Sequence, residues 1–410
     1  VQLYPDTEFR FHDVEKPEDA LKVLEDEAEA TGFLVFILNC IAGLARFFLR
    51  SGKPVIAVAE TYGGSGEYLL DYPRAREEGY PVVGISARDI ASDVVLRKVR
   101  LLTTIHKLRN SRVLFVVSPA ERWLVELEYP LSIDLYSSIK SVAAITGITP
   151  IVLDVREFRE KYYEKVKNEE VEKIAEKWIR EAKRVDEEVL DEVKKSAKLY
   201  IALRNAARDY GANAVAINCI VLRNAGFIDA WPCLGYMELW NDGIAPVCEA
   251  DPYSAALILA IQYLTGRPSF IVDVAIDEVS NEAVYYHCYA PTRPYGDERK
   301  VPYVITTAHL GVKHASIYVE LPTDEVVTAV GFSPEERLIL LHTAKVTKLE
   351  YSPHACSVKL IAKTNTRAIV RNWRWRSGWH RVIVFGDYRE EISELATLLG
   401  LKVLEEDKGW

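Results

Sequence analysis

The sequence predicts an α/β fold in which two successive α/β units precede a β-rich segment, and three observations carry that prediction. Apolar strand-like runs alternate with amphipathic helical stretches over residues 17–274. The pattern restarts after a turn at Asn110-Ser111. Over residues 284–368 it gives way to short alternating runs punctuated by Pro and Gly, the mark of an antiparallel sheet or barrel. A chain of 410 residues is too long for one hydrophobic core. The expected domains are 1–110, 111–275 and 276–410.

In the first unit, residues 17–29 place Ala20, Leu21, Leu24 and Ala28 at helical spacing before Thr31-Gly32 stops the pattern. A buried strand over 33–38, a helix over 41–49 ended at Ser51-Gly52 and a second strand over 55–59 make a βαβ unit. The loop Thr61-Tyr62-Gly63-Gly64-Ser65-Gly66 follows that strand, where α/β sheets put ligand loops. It matches neither GxGxxG nor a Walker loop, which needs a Lys after its last Gly, so a tight substrate-side or packing loop is expected rather than a nucleotide site. A strand over 81–85, a helix over 90–108 and a strand over 112–117 follow.

The second unit reads as a helix over 135–146, a strand over 149–153 and a helical block over 155–198 whose Glu and Lys pair at i,i+4 as solvated surface. A helix over 197–210 and a strand over 214–219 come next. Then comes Cys219 to Asp251, where three cysteines, several carboxylates and a Pro/Gly-broken backbone lie between helical blocks. Helix 253–264 ends at Thr265-Gly266-Arg267-Pro268, and a strand covers 269–274. Further strands are expected over 316–321, 326–331, 338–346 and 358–363. The tail reverts to α/β, with a strand over 381–385, a helix over 390–399 and a strand over 402–404.

Composition narrows the function classes. Hydrophobic residues make up 49% and charged residues 27%, a soluble globular profile. The net charge of -9 argues against nucleic acid, which needs a basic face. The apolar run 33–49 is interrupted by Asn39 and Arg46 and is too short for a membrane span, which needs about 20 residues. The polar, acidic start does not read as a signal peptide. Six cysteines without a CxxC pair point to a reducing, cytoplasmic setting. One Met, two Gln (Gln2 and Gln262) and abundant Glu, Lys, Arg and Tyr match a thermophile's protein.

Several side chains are candidates for chemistry. Asp251, just before Pro252, is a natural helix N-cap; its functional alternative is a metal ligand or general base at the end of a strand-like segment. Glu249 and Glu238 are nearby carboxylates, each alone a salt-bridge residue as readily as a catalytic one. Cysteines 219, 233 and 248 lack metal-ligand spacing and read as packing. His380 stands at a strand mouth, His287 lies among aromatics as a cleft or core residue, and His342 falls inside the sheet. Arg371, Arg374, Arg376 and Arg381, interleaved with Trp373, Trp375 and Trp379, suggest a sugar- or phosphate-contacting wall.

An ordered set of motifs carries a resemblance: Pro232-Cys233-Leu234, Asn241-Asp242-Gly243-Ile244, Cys248-Glu249-Ala250-Asp251, Leu264-Thr265-Gly266-Arg267-Pro268, His287-Cys288 with Ala290-Pro291, and Gly378-Trp379-His380 before Val384-Phe385-Gly386-Asp387-Tyr388. In order and spacing the set resembles the fucose-isomerase-like branch of the L-fucose isomerase and L-arabinose isomerase superfamily. The resemblance implies two Rossmann-like α/β domains followed by a C-terminal β-rich, barrel-like domain. It also implies a homo-oligomer, trimer or hexamer, whose clefts neighbouring subunits complete. A divalent ion, usually Mn²⁺, would be held by two carboxylates and a histidine, here Asp251 and His380. The metal chelates O1 and O2 of an open-chain aldose while a carboxylate moves a proton between C1 and C2 through a cis-enediol. Asp251, Glu249 and Glu238 are then the candidate catalytic carboxylates, and His287, Trp231, Asn241 and Trp379 the candidate sugar contacts.

One departure matters. Where relatives carry a Cys-Trp-Pro-Glu turn supplying the second metal carboxylate and acid/base group, this chain has Cys219-Ile220-Val221-Leu222. Glu238, Glu249 or Asp229 would have to replace that Glu. Two readings follow: a metal-dependent aldose-ketose isomerase with a rearranged metal shell, or a relative that has lost isomerisation and acts as a carbohydrate-binding or assembly protein.

Overall fold

The computed structural model describes residues 3–39, 43–118, 135–307, 313–351 and 355–409, organised as two compact units. The first comprises residues 1–107 and 390–403 and the second residues 108–389 and 404–410.

The first unit is built on a three-stranded parallel sheet of Phe33–Ile37, Val55–Glu60 and Val82–Ala87, in that order. Val55, Ile56, Ala57, Val58 and Ala59 in its middle strand are wholly buried, as a strand covered on both faces requires. The apolar run expected over 33–49 is split between the first strand and a short helix, Ala45–Leu49; the first two residues of the helix expected from 41 lie outside the described residues. Among the described residues no helix is long and apolar enough to cross a membrane. The loop after the second strand packs tightly. A Cβ at Gly64 would stand 2.0 Å from the Ile37 carbonyl oxygen and one at Gly63 2.5 Å from that of Leu38, so only glycine lets the backbones approach.

The second unit contains a four-stranded parallel sheet in the order Thr149–Asp154, Arg112–Val117, Ala214–Ile217, Ala245–Cys248. The block expected as helix over 155–198 is broken. After Asn168–Glu181 the chain forms a two-residue strand, Arg184–Val185, that pairs with Tyr303–Thr306, and the next helix is Leu190–Asp209. This tertiary pairing overrides local helical propensity.

The β-rich segment closes on itself. Strands Val326–Ser333, His380–Phe385, Phe270–Asp277, Glu282–His287, Val358–Lys363 and Leu338–Leu349 pair antiparallel in that order, and the last returns to the first. The chain is thus a mixed α/β protein with parallel sheets and a C-terminal closed β-barrel. Two strands expected to be α/β in character belong to the barrel: Phe270–Asp277, and His380–Phe385 from the tail. All six residues of the latter are buried, and its apolar stretch Val382-Ile383-Val384-Phe385 has the sequence appearance of a parallel strand. Ser316–Val319, expected with the barrel strands, pairs instead with Tyr303–Thr306 in a separate sheet.

Candidate functional site

The last strand of the parallel sheet, Ala245–Cys248, ends in a turn that leads into helix Pro252–Thr265. Glu249 and Ala250 both take positive φ, 56° and 52°. Consecutive left-handed non-glycine residues are costly and persist only where the surroundings impose them. The turn directs Glu249 toward the barrel and leaves Asp251 as the N-cap. Asp251 Oδ1 accepts from the Tyr253 backbone N–H at 2.9 Å and Oδ2 from the Ser254 hydroxyl at 2.5 Å, while Pro252 occupies the first helical position, where its missing N–H costs nothing.

The barrel brings three more groups to this turn. His380 and Asp273 are direct cross-strand partners on adjacent antiparallel strands, and His287 ends the strand on the other side of Asp273. His380 is almost completely buried, and its Nδ1 stands 3.0 Å from Asp251 Oδ2. Its Nε2 lies 3.6 Å from Glu249 Oε2 and 3.6 Å from Asp273 Oδ1, and it makes no hydrogen bond. His287 Nε2 is likewise buried without a hydrogen bond, 4.0 Å from Glu249 Oε1. The two imidazoles meet edge to face with ring centres 5.7 Å apart. Donor atoms of Glu249, His287 and His380 all lie within 4.8 Å of one another.

Burial dominates the electrostatics of this cluster. Desolvation lifts the Glu249 carboxyl to about 7, against the lowering pull of His380 and His287. Burial also pulls both imidazoles down, but it is outweighed. Cys288, Asp273 and Glu249 carry His287 up to about 10, and the Asp251 hydrogen bond with the Glu249 and Asp273 charges raises His380. Two buried imidazoles face carboxylates with nitrogens left unpaired, a donor set of oxygen and imidazole nitrogen that suits a divalent cation of the Mn²⁺ or Zn²⁺ kind.

The structure brings together Asp251, Glu249, His287 and His380 from the residues singled out in the sequence. It places the others apart. Glu238 accepts from Lys177 Nζ at 2.7 Å and from Trp178 Nε1 at 2.9 Å, a buried structural link. Asp229 accepts from the Tyr163 hydroxyl. Of the three carboxylates considered as replacements for the missing Glu, Glu249 alone faces the histidines. Leu222 is fully buried in helix Cys219–Asn224. Trp231 stacks on His314 with ring centres 4.9 Å apart, Asn241 is exposed at the end of helix Cys233–Asn241, and Trp379 donates its indole N–H to the Val274 carbonyl at 2.8 Å. Arg381, expected in a ligand-contacting wall, is wholly buried, paired with Glu406 at 2.6 Å and lying 3.8 Å from the centre of the Trp373 ring. Asp273 escaped the sequence reading. Its signal was a carboxylate interrupting the apolar run Phe270-Ile271-Val272-Asp273-Val274.

No family model matches the chain. Among curated proteins, the sulfoquinovose isomerase of Clostridium sp. (strain MSTE9) is 27% identical over 223 residues, covering 50% of this chain and 46% of that protein. The matched region is thus about half the length of either protein. Over that half, the chain is similar to a sugar isomerase.

Proposed function

We propose that the protein interconverts an aldose and its ketose, with the cluster of Glu249, Asp273, His287 and His380 as the reaction site. The observation that carries this reading is the convergence of two buried, unpaired imidazole nitrogens on one desolvated carboxylate. The similarity to a sulfoquinovose isomerase supplies the reaction class. Glu249, Asp273 and His380 Nε2 would hold a divalent cation such as Mn²⁺, two carboxylates and a histidine, with His287 beside them. When bound, the cation supplies Lewis-acid polarisation of the sugar's carbonyl and neighbouring hydroxyl oxygens.

The chain's own groups do the rest. Asp251 accepts the Nδ1 proton of His380 and so leaves the Nε2 lone pair facing the cluster, the way carboxylates fix the tautomer of ligating histidines. Glu249 presents two oxygens to two partners. Oε2 faces His380, while Oε1, on the His287 side, takes the proton from C2 of an open-chain aldose and returns it to C1. The hydroxyl proton passes from O2 to O1, so the cis-enediol collapses to the ketose with no net gain or loss of atoms. A carboxyl whose affinity for protons is raised by burial is suited to both halves of that transfer.

The competing reading, a carbohydrate-binding or assembly protein without turnover, rests on Leu222, fully buried at the position where the resemblance calls for a catalytic Glu. A panel of aldoses with sulfoquinovose first, incubated with and without Mn²⁺ and assayed for ketose, separates the two. Ketose formed only with Mn²⁺, and lost in Glu249→Gln, is the expected result. No ketose from any sugar, with no metal retained after loading, would overturn the proposal.

A further inference from the structure

Behind the carboxylate site lies a second group of side chains that the proposed reaction does not use. Cysteines 219, 233, 248, 288 and 356 are all buried, and none of them is joined in a disulfide. Cys233 Sγ stands 3.2 Å from Cys288 Sγ, and Cys219 Sγ 3.8 Å from Cys248 Sγ. Cys288 also contacts Cys248 and Cys356, so one sulfur links four of the five thiols. His287 Nδ1 lies 3.4 Å from Cys288 Sγ. Donor atoms of Cys248, Cys288 and His287 all fall within 4.8 Å of one another.

Scattered buried cysteines are ordinary small apolar residues. This arrangement differs in two respects. The thiols are gathered from the ends of the parallel sheet, from helix Cys233–Asn241 and from segments bordering two barrel strands, so packing within one element does not account for their meeting. An imidazole also faces them with one nitrogen while its other nitrogen is buried and unpaired. The Sγ···Sγ distances exceed the about 2.05 Å of a disulfide. The donor atoms of Cys248, Cys288 and His287, all within 4.8 Å of one another, are close to the spacing of about 3.8 Å between thiolates arranged tetrahedrally around zinc at about 2.3 Å.

We propose that this cluster is a metal site distinct from the carboxylate site, taking a thiophilic cation of the zinc class through Cys248 Sγ, Cys288 Sγ and His287 Nδ1. Binding exchanges the protons of the Cys248 and Cys288 thiols for the cation and releases them to solvent. With Nδ1 engaged, the remaining ring proton would sit on Nε2, 4.0 Å from Glu249 Oε1, within a small shift of the carboxylate–histidine pairing that orients metal-bound imidazoles. The carboxylate site keeps Glu249, Asp273 and His380. The thiol site thereby becomes a fixed back wall that sets the position of Glu249.

The test is X-ray absorption at the zinc edge on the full chain, purified under reducing conditions and loaded with one equivalent of Zn²⁺. Sulfur scatterers at about 2.3 Å are expected in the native protein and in Glu249→Gln, and are lost in Cys248→Ser/Cys288→Ser. Only nitrogen and oxygen scatterers in the native protein would overturn the proposal, and so would a sulfur signal unchanged by the double substitution. Failure to retain zinc with Cys233 and Cys288 joined as a disulfide under those conditions would also overturn it. The native measurement decides the question even where the double variant does not fold, and its readout is independent of sugar turnover.

Discussion

His380 and Asp251 meet through one nitrogen and one oxygen, Nδ1 to Oδ2 at 3.0 Å, and this contact decides which side of the imidazole faces the cluster. Asp251 also caps helix Pro252–Thr265 and accepts from Ser254, so three hydrogen bonds hold its carboxylate. Its role in the proposed site is to orient. Asp251→Asn should weaken Mn²⁺ affinity about 10–100-fold, the usual cost of removing a histidine's outer partner. His380→Ala should abolish binding, and titration calorimetry of both variants measures the difference. Equal loss in the two would instead make Asp251 a direct ligand.

Glu249 is held in the site by a backbone conformation that few side chains adopt. Glu249→Gln keeps its size but removes the group that carries the proton. Turnover should fall by about 10²–10⁴-fold, the range of general acid–base contributions. Steady-state ketose formation checks this, with thermal unfolding of the variant to show that the fold is intact.

Glu238 separates structural from catalytic carboxylates. Its two oxygens are committed to Lys177 and Trp178. Glu238→Gln should cost about 1–3 kcal/mol of stability by leaving buried partners imperfectly paired, and should leave Mn²⁺ affinity and kcat unchanged. Chemical unfolding beside a metal titration reads both. A loss of metal binding without a loss of stability would return Glu238 to the site.

Inside the barrel, Glu406 is wholly buried between Arg381 and His342, which in turn bonds the Tyr285 hydroxyl at 2.7 Å. Burial alone would raise its carboxyl, but Arg381 and His342 outweigh it and bring it down to about 2. Its folded value lies below the ordinary 4.5, so the stability it contributes is present above about 4.5 and is lost as pH falls through about 2. Urea midpoints measured across that window should fall in the native protein and change less in Glu406→Gln. Arg381 also donates to the His380 carbonyl at 2.8 Å, which ties this network to the site strand.

Among the described residues up to 265, the alternation of strand and helix was legible except across 155–198, because a parallel sheet buries both faces and leaves long apolar runs. The barrel was legible as short alternating strands, but its membership was not. His380–Phe385 and Phe270–Asp277 are apolar throughout most of their length, and pairing partners distant in sequence decide their sheet. The motif around Asp251 was readable because capping and acid chemistry share one local pattern. Asp273 was not, since its meaning comes from lying opposite His380 across a ladder that no local pattern encodes. Glu238 shows the converse: it is close to Asp251 in sequence, but helix Cys233–Asn241 turns it toward Trp178.

Anomalous scattering at the manganese edge, from crystals of the Mn²⁺-loaded protein, shows directly whether a cation sits among Glu249, Asp273 and His380. The expected result is a peak bonded to His380 Nε2 and to the carboxylates of Glu249 and Asp273, with Asp251 on the opposite side of the imidazole. A peak on the Nδ1 side against Asp251, or none after loading, would contradict it.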